Sequence, residues 1–303
     1  MLNRTLHPID PSDMAPSVAF RAAMAPRKGV IVGPEARPMF DAGRSATPIA
    51  AGVWIELGSV GGVTGLWCRV AAEPTSARLL FLHGGGYMLG SSAATANFAS
   101  HLAAGSGADA FVADYRLAPE HPFPAAYDDA LAAYRGLAAS PDSPVIIAGE
   151  SAGGGLALAV LATLTDGDRK PEAVAVMSPW TDLTLNGESY ISRAEADPIF
   201  SCTALAALAK NYLQGENARD LRASPLFGPV MPTIPIRIDV GEDEVLLADS
   251  IAFATRVAST GAAVTLDIWQ GMPHVFQARV GQLAAARQSF ERAGQFLRDA
   301  LPA

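Results

Sequence analysis

This sequence has little that would indicate a disulfide framework or a membrane span. Its 303 residues include only two cysteines, Cys68 and Cys202, so we expect buried free thiols in a reducing compartment. No apolar run approaches the roughly 18 residues of a membrane span. The first residues, MLNRTLHPID, lack the apolar stretch of a signal peptide. We therefore expect a cytoplasmic protein without stable membrane insertion.

Positive charge is scarce as well. The net charge is −8 and the pI is about 5.1, with no cluster of Lys and Arg. Nucleic acid and anionic membranes are therefore poor candidate partners. Internal repeats and low-complexity segments are also missing. Apolar residues are abundant, at 50% of the chain, which is enough for one large α/β domain and a small appendage.

Strand-like and helical segments alternate along most of the chain. The predicted strands are residues 53–57, 66–70, 78–82, 110–114, 144–148, 173–177, 234–240 and 264–269. The predicted helices between and after them are residues 93–104, 125–138, 152–165, 248–259 and 282–301. The central strands are almost continuously apolar, which is typical of parallel strands buried on both faces. We predict an α/β fold with a mostly parallel, eight-stranded sheet flanked by helices.

Two segments interrupt this alternation. Residues 1–45 are rich in Pro, Met, Ala and Arg, with a helix predicted near residues 16–24 and no strand. Residues 184–229 form an unusually long connection that contains one predicted helix, 203–212. Connections of this length are usually functional, so we predict that both segments form a small helical cap over a site. A surface excursion without a role is the alternative. The main domain would then comprise residues 46–183 and 230–303.

The sequence Gly149-Glu150-Ser151-Ala152-Gly153 lies between a predicted strand and a predicted helix. Gly-x-Ser-x-Gly in this setting is typical of a nucleophile elbow, a strained turn that exposes a reactive serine. The pattern alone is weak, because Ser151 could equally be the N-cap of the helix. The rest of the chain must supply a base, an acid and hydrogen-bond donors for an oxyanion.

One histidine stands in the right place to be the base. The chain has five histidines, His7, His83, His101, His121 and His274. Only His274 follows Ser151, and it lies in a loop directly after the strand predicted at residues 264–269. In a chain that uses the order serine, acid, histidine, this loop is where the base is expected.

The acid is expected after the preceding strand, where several carboxylates compete. Asp243 and Glu244 both have suitable spacing, and the pattern alone does not choose between them. Asp249 falls inside the helix predicted to follow.

A glycine run follows the strand predicted at residues 78–82. In His83-Gly84-Gly85-Gly86, the absence of side chains lets the backbone approach a substrate and direct N–H groups at it. A flexible loop without function is the alternative. Ala152, the residue after the serine, is expected to supply a further N–H group.

Taken together, these motifs resemble the hormone-sensitive-lipase-like carboxylesterases, bacterial lipolytic family IV of the α/β-hydrolase fold. The resemblance covers most of the chain from about residue 80. It also includes the segments DYRLAPEHPFPA (114–125), SPWTDL (178–183) and MPHVF (272–276).

The resemblance implies roles for particular residues. Ser151 would be the nucleophile and His274 the base. The oxyanion hole would comprise the N–H groups of Gly85, Gly86 and Ala152, with Gly84 beside them.

The resemblance also favours Glu244 as the acid, with Asp243 as the alternative. Relatives place the acid three residues after the small residue that ends the strand, here Gly241, with Leu two residues further on. Most relatives have Asp-Pro-Leu where this chain has Glu-Val-Leu, although glutamate also serves in triads of this fold.

Two more residues near these motifs are candidates for the site. Tyr87 follows the glycine run and is expected to line the substrate pocket. Glu150 stands where Asp is common in the elbow, and we interpret it as a supporting residue at the substrate site.

The predicted function is a serine carboxylesterase that cleaves short- to medium-chain acyl esters through an acyl-enzyme, without metal or cofactor. Lactones, amides and thioesters are alternative substrates for the same machinery. A non-catalytic binding protein is disfavoured because such relatives lose the histidine that His274 represents. The expected partner is a small-molecule ester, and both a monomer and a homodimer are compatible with the sequence.

Overall fold

A mostly parallel β-sheet forms the centre of the structure, a computed structural model that describes residues 1–70, 75–231 and 233–302. The strands are β1 (Leu2–His7), β2 (Val53–Val60), β3 (Val63–Val70), β4 (Arg78–Leu82), β5 (Asp109–Ala113), β6 (Val145–Glu150), β7 (Val174–Met177), β8 (Ile236–Gly241) and β9 (Val264–Trp269). Within the described residues the order is β1-β9-β8-β7-β6-β4-β5-β3-β2. Among the strand pairs in the described part of the chain, only β2–β3 and β3–β5 are antiparallel. The predicted fold class is confirmed.

Helices cover both faces of this sheet. They are α1 (Pro11–Met24), α2 (Arg37–Ser45), α3 (Ser92–Ser106), α4 (Ala125–Ala138), α5 (Ala152–Thr163), α6 (Ser189–Ser192), α7 (Cys202–Leu213), α8 (Leu247–Ser259) and α9 (Ala284–Ala300). Buried apolar residues of α3 and α9 form the core on one face. Those of α4, α5 and α8 form the core on the other face. None of the helices in the described ranges has both the length and the apolar character needed to cross a bilayer.

Strand β1 is the main difference from the prediction, which placed no strand in residues 1–45 and eight strands in the sheet. Residues Leu2–His7 pair in parallel with β9 and make nine strands. Its sequence, LNRTLH, lacks the Val and Ile content of a buried strand. An edge strand can form from such a sequence because backbone pairing on one side is sufficient.

The eight predicted strands are all present. Strand β2 extends to Val60 and β3 begins already at Val63, so this hairpin is longer than predicted. Of the two cysteines expected to be buried, Cys68 is buried. Cys202 is partly exposed, because it occupies the first turn of α7 on a segment that packs above the main core.

The segment before β2 contacts the long connection between β7 and β8, for example through the hydrogen bond from Lys28 Nζ to the Glu195 carbonyl oxygen. We call residues 8–45 and 184–229 the cap. Its two parts are joined by a hydrogen bond of 2.9 Å from the Gly29 amide to the Ile199 carbonyl oxygen. The first part is also tied to the main domain, because Asp13 accepts hydrogen bonds from the N–H groups of Ala284 and Ala285 at the start of α9.

Candidate active site

Ser151 lies on the sharp turn between β6 and α5. Its backbone has φ 56° and ψ −124°, a conformation that is strained for a residue with a side chain. Gly153 allows this turn, since a Cβ atom there would lie 2.1 Å from the carbonyl oxygen of Leu82. Ser151 occupies the N-cap position of α5, but its side chain makes no cap hydrogen bond, so helix capping does not account for this serine.

The side chain of Ser151 pairs with His274 instead. The distance from Ser151 Oγ to His274 Nε2 is 2.9 Å. The other imidazole nitrogen, Nδ1, lies 2.6 Å from Oε2 of Glu244. All three side chains are buried, and the contacts form one continuous chain of hydrogen bonds. These three residues meet because each lies shortly after the end of a strand of the sheet, Ser151 after β6, Glu244 after β8 and His274 after β9.

Glu244 is held by further donors. Its Oε1 accepts hydrogen bonds of 2.7 Å from the Gly241 amide and from Ser178 Oγ. Asp243, the alternative acid, points elsewhere and forms an ion pair with Arg21 of the cap. The geometry thus supports Glu244 as the partner of His274.

Burial and charge act in opposite directions on the pKa of His274. Burial alone lowers it, because the charged imidazolium loses hydration. The Glu244 carboxylate and its hydrogen bond raise it, with smaller contributions from Asp197 and Glu150, and the net result is a pKa above the ordinary value. The imidazolium form is therefore favoured, which suits a base that must receive a proton.

The glycine run after β4 forms a loop beside Ser151. The N–H groups of Gly85 and Gly86 donate no hydrogen bond to any residue that the structure describes. The Ala152 amide belongs to the first turn of α5, where N–H groups have no partner within the helix. These three amides are thus available to a ligand.

Gly84 lies beside these amides but does not contribute its own N–H group. Its N–H group donates a hydrogen bond of 2.8 Å to Oε1 of Glu150, so it is not available to an oxyanion. The loop is braced further by His83, whose Nδ1 lies 2.8 Å from the Gly84 carbonyl oxygen. The ring of Tyr115 stacks on His83 and its hydroxyl donates to the His83 carbonyl oxygen.

Glu150 and Tyr87, the two further candidates for the substrate site, are both buried. Glu150 is buried behind the loop and holds the Gly84 amide, which fits its predicted supporting role. Tyr87 is fully buried and stacks on Tyr212 at a centroid distance of 3.9 Å. A direct contact between Tyr87 and a substrate would require the side chain to move, because none of its surface is exposed.

Three cap residues at this site were not predicted from the sequence. Phe200 packs against His274, and Leu208 lies over Gly86. Asp197 accepts hydrogen bonds from the amides of Ile199, Phe200 and Val245, and so ties the cap to the loop of Glu244. The Asp-Pro pair at residues 197–198 was a turn signal that could have drawn attention to this segment.

The sequence is similar to those of known proteins over most of its length. The sequence model of a family described by the α/β hydrolase fold matches residues 79–278. The chain is 39% identical over 245 residues to an acetyl-hydrolase of Streptomyces hygroscopicus, covering 80% of this chain and 82% of that protein. It is 33% identical over 233 residues to an esterase of Acinetobacter venetianus, covering 75% and 77%.

Solved structures show the same similarity over nearly the full chain. An esterase/lipase from an uncultured bacterium superimposes with a TM-score of 0.88 at 36% identity, covering 96% of this chain and 99% of that one. An esterase from the bacterial hormone-sensitive lipase family gives a TM-score of 0.88 at 33% identity, covering 95% and 99%.

Proposed function

Because this chain belongs to the hormone-sensitive-lipase-like esterases of the α/β-hydrolase fold, we propose that it hydrolyses short- to medium-chain acyl esters through a covalent acyl-enzyme. Ester hydrolysis itself follows from the family. The mechanism is our inference, and one observation carries it, namely the continuous hydrogen-bond chain from Ser151 through His274 to Glu244.

In the acylation step, Ser151 Oγ attacks the ester carbonyl carbon while His274 Nε2 takes the hydroxyl proton. Glu244 holds the imidazole in the orientation and tautomer that leave Nε2 free to accept, and it stabilises the imidazolium that forms. The electron pair of the carbonyl bond moves to oxygen. The resulting oxyanion accepts hydrogen bonds from the amides of Gly85, Gly86 and Ala152.

Collapse of this intermediate breaks the bond to the alcohol oxygen. The departing alkoxide takes the proton from His274, and the acyl group remains on Ser151. In the deacylation step, a water molecule takes the place of the alcohol. His274 removes a proton from this water as its oxygen attacks the acyl carbon. The bond to Ser151 Oγ then breaks, and His274 returns the proton to Ser151. His274 thus carries the transferred proton in both steps, first from Ser151 to the alcohol and then from water to Ser151.

The cap supports the proposed preference for short and medium acyl chains. Leu208 on α7 lies against the oxyanion loop, and Phe200 lies against the base. Apolar side chains in these positions leave limited room for an acyl chain beside Ser151. The similarity to an acetyl-hydrolase points in the same direction.

The proposal is tested by covalent labelling with a fluorophosphonate, followed by peptide mass spectrometry. We expect the adduct on Ser151, and we expect Ser151→Ala to lose both labelling and about 10⁶-fold in kcat towards p-nitrophenyl butyrate. Ser143→Ala, which changes a partly exposed serine in the loop before β6, is the matched control. Labelling at another serine, or full activity of Ser151→Ala, would refute the mechanism. Assaying lactones, anilides and thioesters in parallel identifies which acyl bond is preferred.

A further inference from the structure

A chain of contacts connects the cap to the oxyanion loop through residues outside the proposed triad. Arg44, on cap helix α2, places Nη2 2.7 Å from Oε1 of Glu150. The same Oε1 accepts the hydrogen bond of 2.8 Å from the Gly84 amide. One carboxylate oxygen therefore receives donors from the cap and from the loop.

The two charges are well shielded from water. The side chain of Arg44 is 12% exposed and that of Glu150 is 3% exposed. A buried carboxylate is costly unless a positive charge and hydrogen bonds accompany it. The guanidinium is fixed from another direction as well, because its Cζ lies 5.0 Å from the centre of the Phe98 ring. Arg44 therefore provides Glu150 with a positive charge at a fixed position.

The loop is built closely around this carboxylate. A Cβ atom at Gly84 would lie 2.3 Å from Oε2 of Glu150, so a side chain at this position would displace the carboxylate. Because the Gly84 amide donates to the same carboxylate, a displacement of the Glu150 side chain would move Gly84 or break this hydrogen bond. Gly85 and Gly86 directly follow, and their amides are the ones left free for a ligand.

We propose that Arg44 is a positioning residue, through which the docked cap fixes Glu150 and so orients the oxyanion amides of Gly85 and Gly86. This inference rests on the proposed function, because it assigns the loop its role in the ester reaction. It makes the N-terminal part of the cap a requirement for transition-state stabilisation in addition to its role as a cover.

The charges give this proposal a signature that a purely structural role would not produce. The negative charge of Glu150 contributes to the raised pKa of His274. Arg44 opposes Glu150 in its effect on His83, which lies in the same loop. Removing Arg44 leaves the charge of Glu150 uncompensated, whereas removing Glu150 takes that charge away. The two changes should shift the titration of His274 in opposite directions.

The test compares Arg44→Gln, Glu150→Gln and the double variant with Arg27→Gln, a control that removes an exposed charge from the same cap segment. For Arg44→Gln we expect kcat towards p-nitrophenyl acetate to fall about 10- to 100-fold with KM nearly unchanged, since misplaced oxyanion donors weaken only the transition state. The acidic limb of its kcat/KM profile should move to higher pH. For Glu150→Gln the limb should move to lower pH.

Two further measurements complete the design. The double variant should lose less activity than the product of the two single losses, because the residues act on one contact. Arg44→Lys should return the acidic limb to the wild-type position, since it restores the charge, and it guards against a folding defect in Arg44→Gln. Circular dichroism and thermal melting identify any unfolded variant.

The outcomes separate this inference from the proposed function. Wild-type kcat and an unmoved acidic limb in a folded Arg44→Gln would overturn the role of Arg44 while leaving the triad intact. Multiplicative losses in the double variant would do the same. Full activity of Ser151→Ala would instead remove the proposed mechanism, whatever the Arg44 variants do.

Discussion

Phe200 of the cap meets the imidazole of His274 edge to face, with ring centroids 5.0 Å apart and planes inclined by 76°. An aromatic pair of this kind contributes about 0.5–1.5 kcal/mol beyond its buried area. The cap therefore touches the proposed base directly and keeps water from one side of it. The backbone of Phe200 is fixed in turn by a hydrogen bond of 2.9 Å to Asp197.

The two adjacent carboxylates after β8 should respond very differently to neutralisation. Glu244→Gln is expected to lower kcat by about 10⁴-fold, the size found when a triad acid becomes an amide and the wrong tautomer is favoured. Asp243→Asn should cost less than about tenfold, because it loses the ion pair to Arg21 and leaves the triad in place. Steady-state kinetics of both variants show which carboxylate is the acid of the triad. A larger loss in Asp243→Asn would show that the assignment is wrong.

Esterase activity should fall on acidification with a midpoint above the usual histidine pKa of 6.5. Activity requires neutral His274, and the raised pKa means that the imidazole stays protonated to a higher pH than an ordinary histidine. The kcat/KM profile of the wild-type enzyme measures this midpoint. The residual activity of Glu244→Gln should show a lower midpoint, because the carboxylate is what raises the pKa. A wild-type midpoint at or below the usual value would contradict the effect assigned to the Glu244 carboxylate, because burial alone lowers the pKa of His274.

Leu208 should limit acyl-chain length. Its Cδ1 lies 2.7 Å from where a Cβ atom of Gly86 would be, so it occupies the space directly beside the oxyanion loop. Leu208→Ala is expected to raise the ratio of kcat/KM for p-nitrophenyl octanoate over acetate by about tenfold, since each accommodated methylene contributes roughly 1–3 kcal/mol. Lys210→Ala, on the exposed side of the same helix, is the matched control. An equal change for all chain lengths would mean that Leu208 only stabilises the fold.

Asp249 should make the stability of the protein depend on pH. Burial raises its pKa from 3.8 to about 7, against hydrogen bonds from Thr181, Tyr190 and Asp182 that lower it. The folded state therefore keeps a proton that the unfolded state releases. The stabilisation this provides is complete below about pH 4 and is lost as the pH rises through about 7.

Asp249→Asn should remove this contribution. The Tm of the wild-type protein and of Asp249→Asn should be measured by differential scanning calorimetry at pH 5 and at pH 8. We expect the difference, wild type minus variant, to be at least about 3 °C smaller at pH 8 than at pH 5. Asp166→Asn, an exposed carboxylate, serves as the control. A constant difference in Tm across this range would mean that Asp249 is ionised at both pH values.

The parts of the site that could be predicted from the sequence are those encoded by a few neighbouring residues. The elbow around Ser151 and the glycine loop each carry their own geometry, because close backbone approach demands glycine at fixed spacing. His274 could be placed because it follows a strand that is recognisable from its apolar sequence. The resemblance then favoured Glu244 over Asp243, a choice that spacing alone did not make.

The parts that could not be predicted depend on contacts between distant segments. Arg44 and Glu150 are 106 residues apart in the chain, and Arg21 and Asp243 are 222 residues apart. No local pattern marks an arginine that will be buried against a particular carboxylate. The occupied amide of Gly84 was missed for the same reason, because its partner comes from another strand.

The pairing of β1 with β9 has a consequence for how the enzyme is made. The amino group of Met1 donates to the carbonyl oxygen of Ala262, 261 residues later. A ribosome releases the first strand long before its neighbour exists, and contacts of such separation form late in folding. The edge strand β1 can therefore pair only after β9 has been synthesised. Because His274 lies in the loop that directly follows β9, we expect the active site to form late in folding, together with this long-range strand pair.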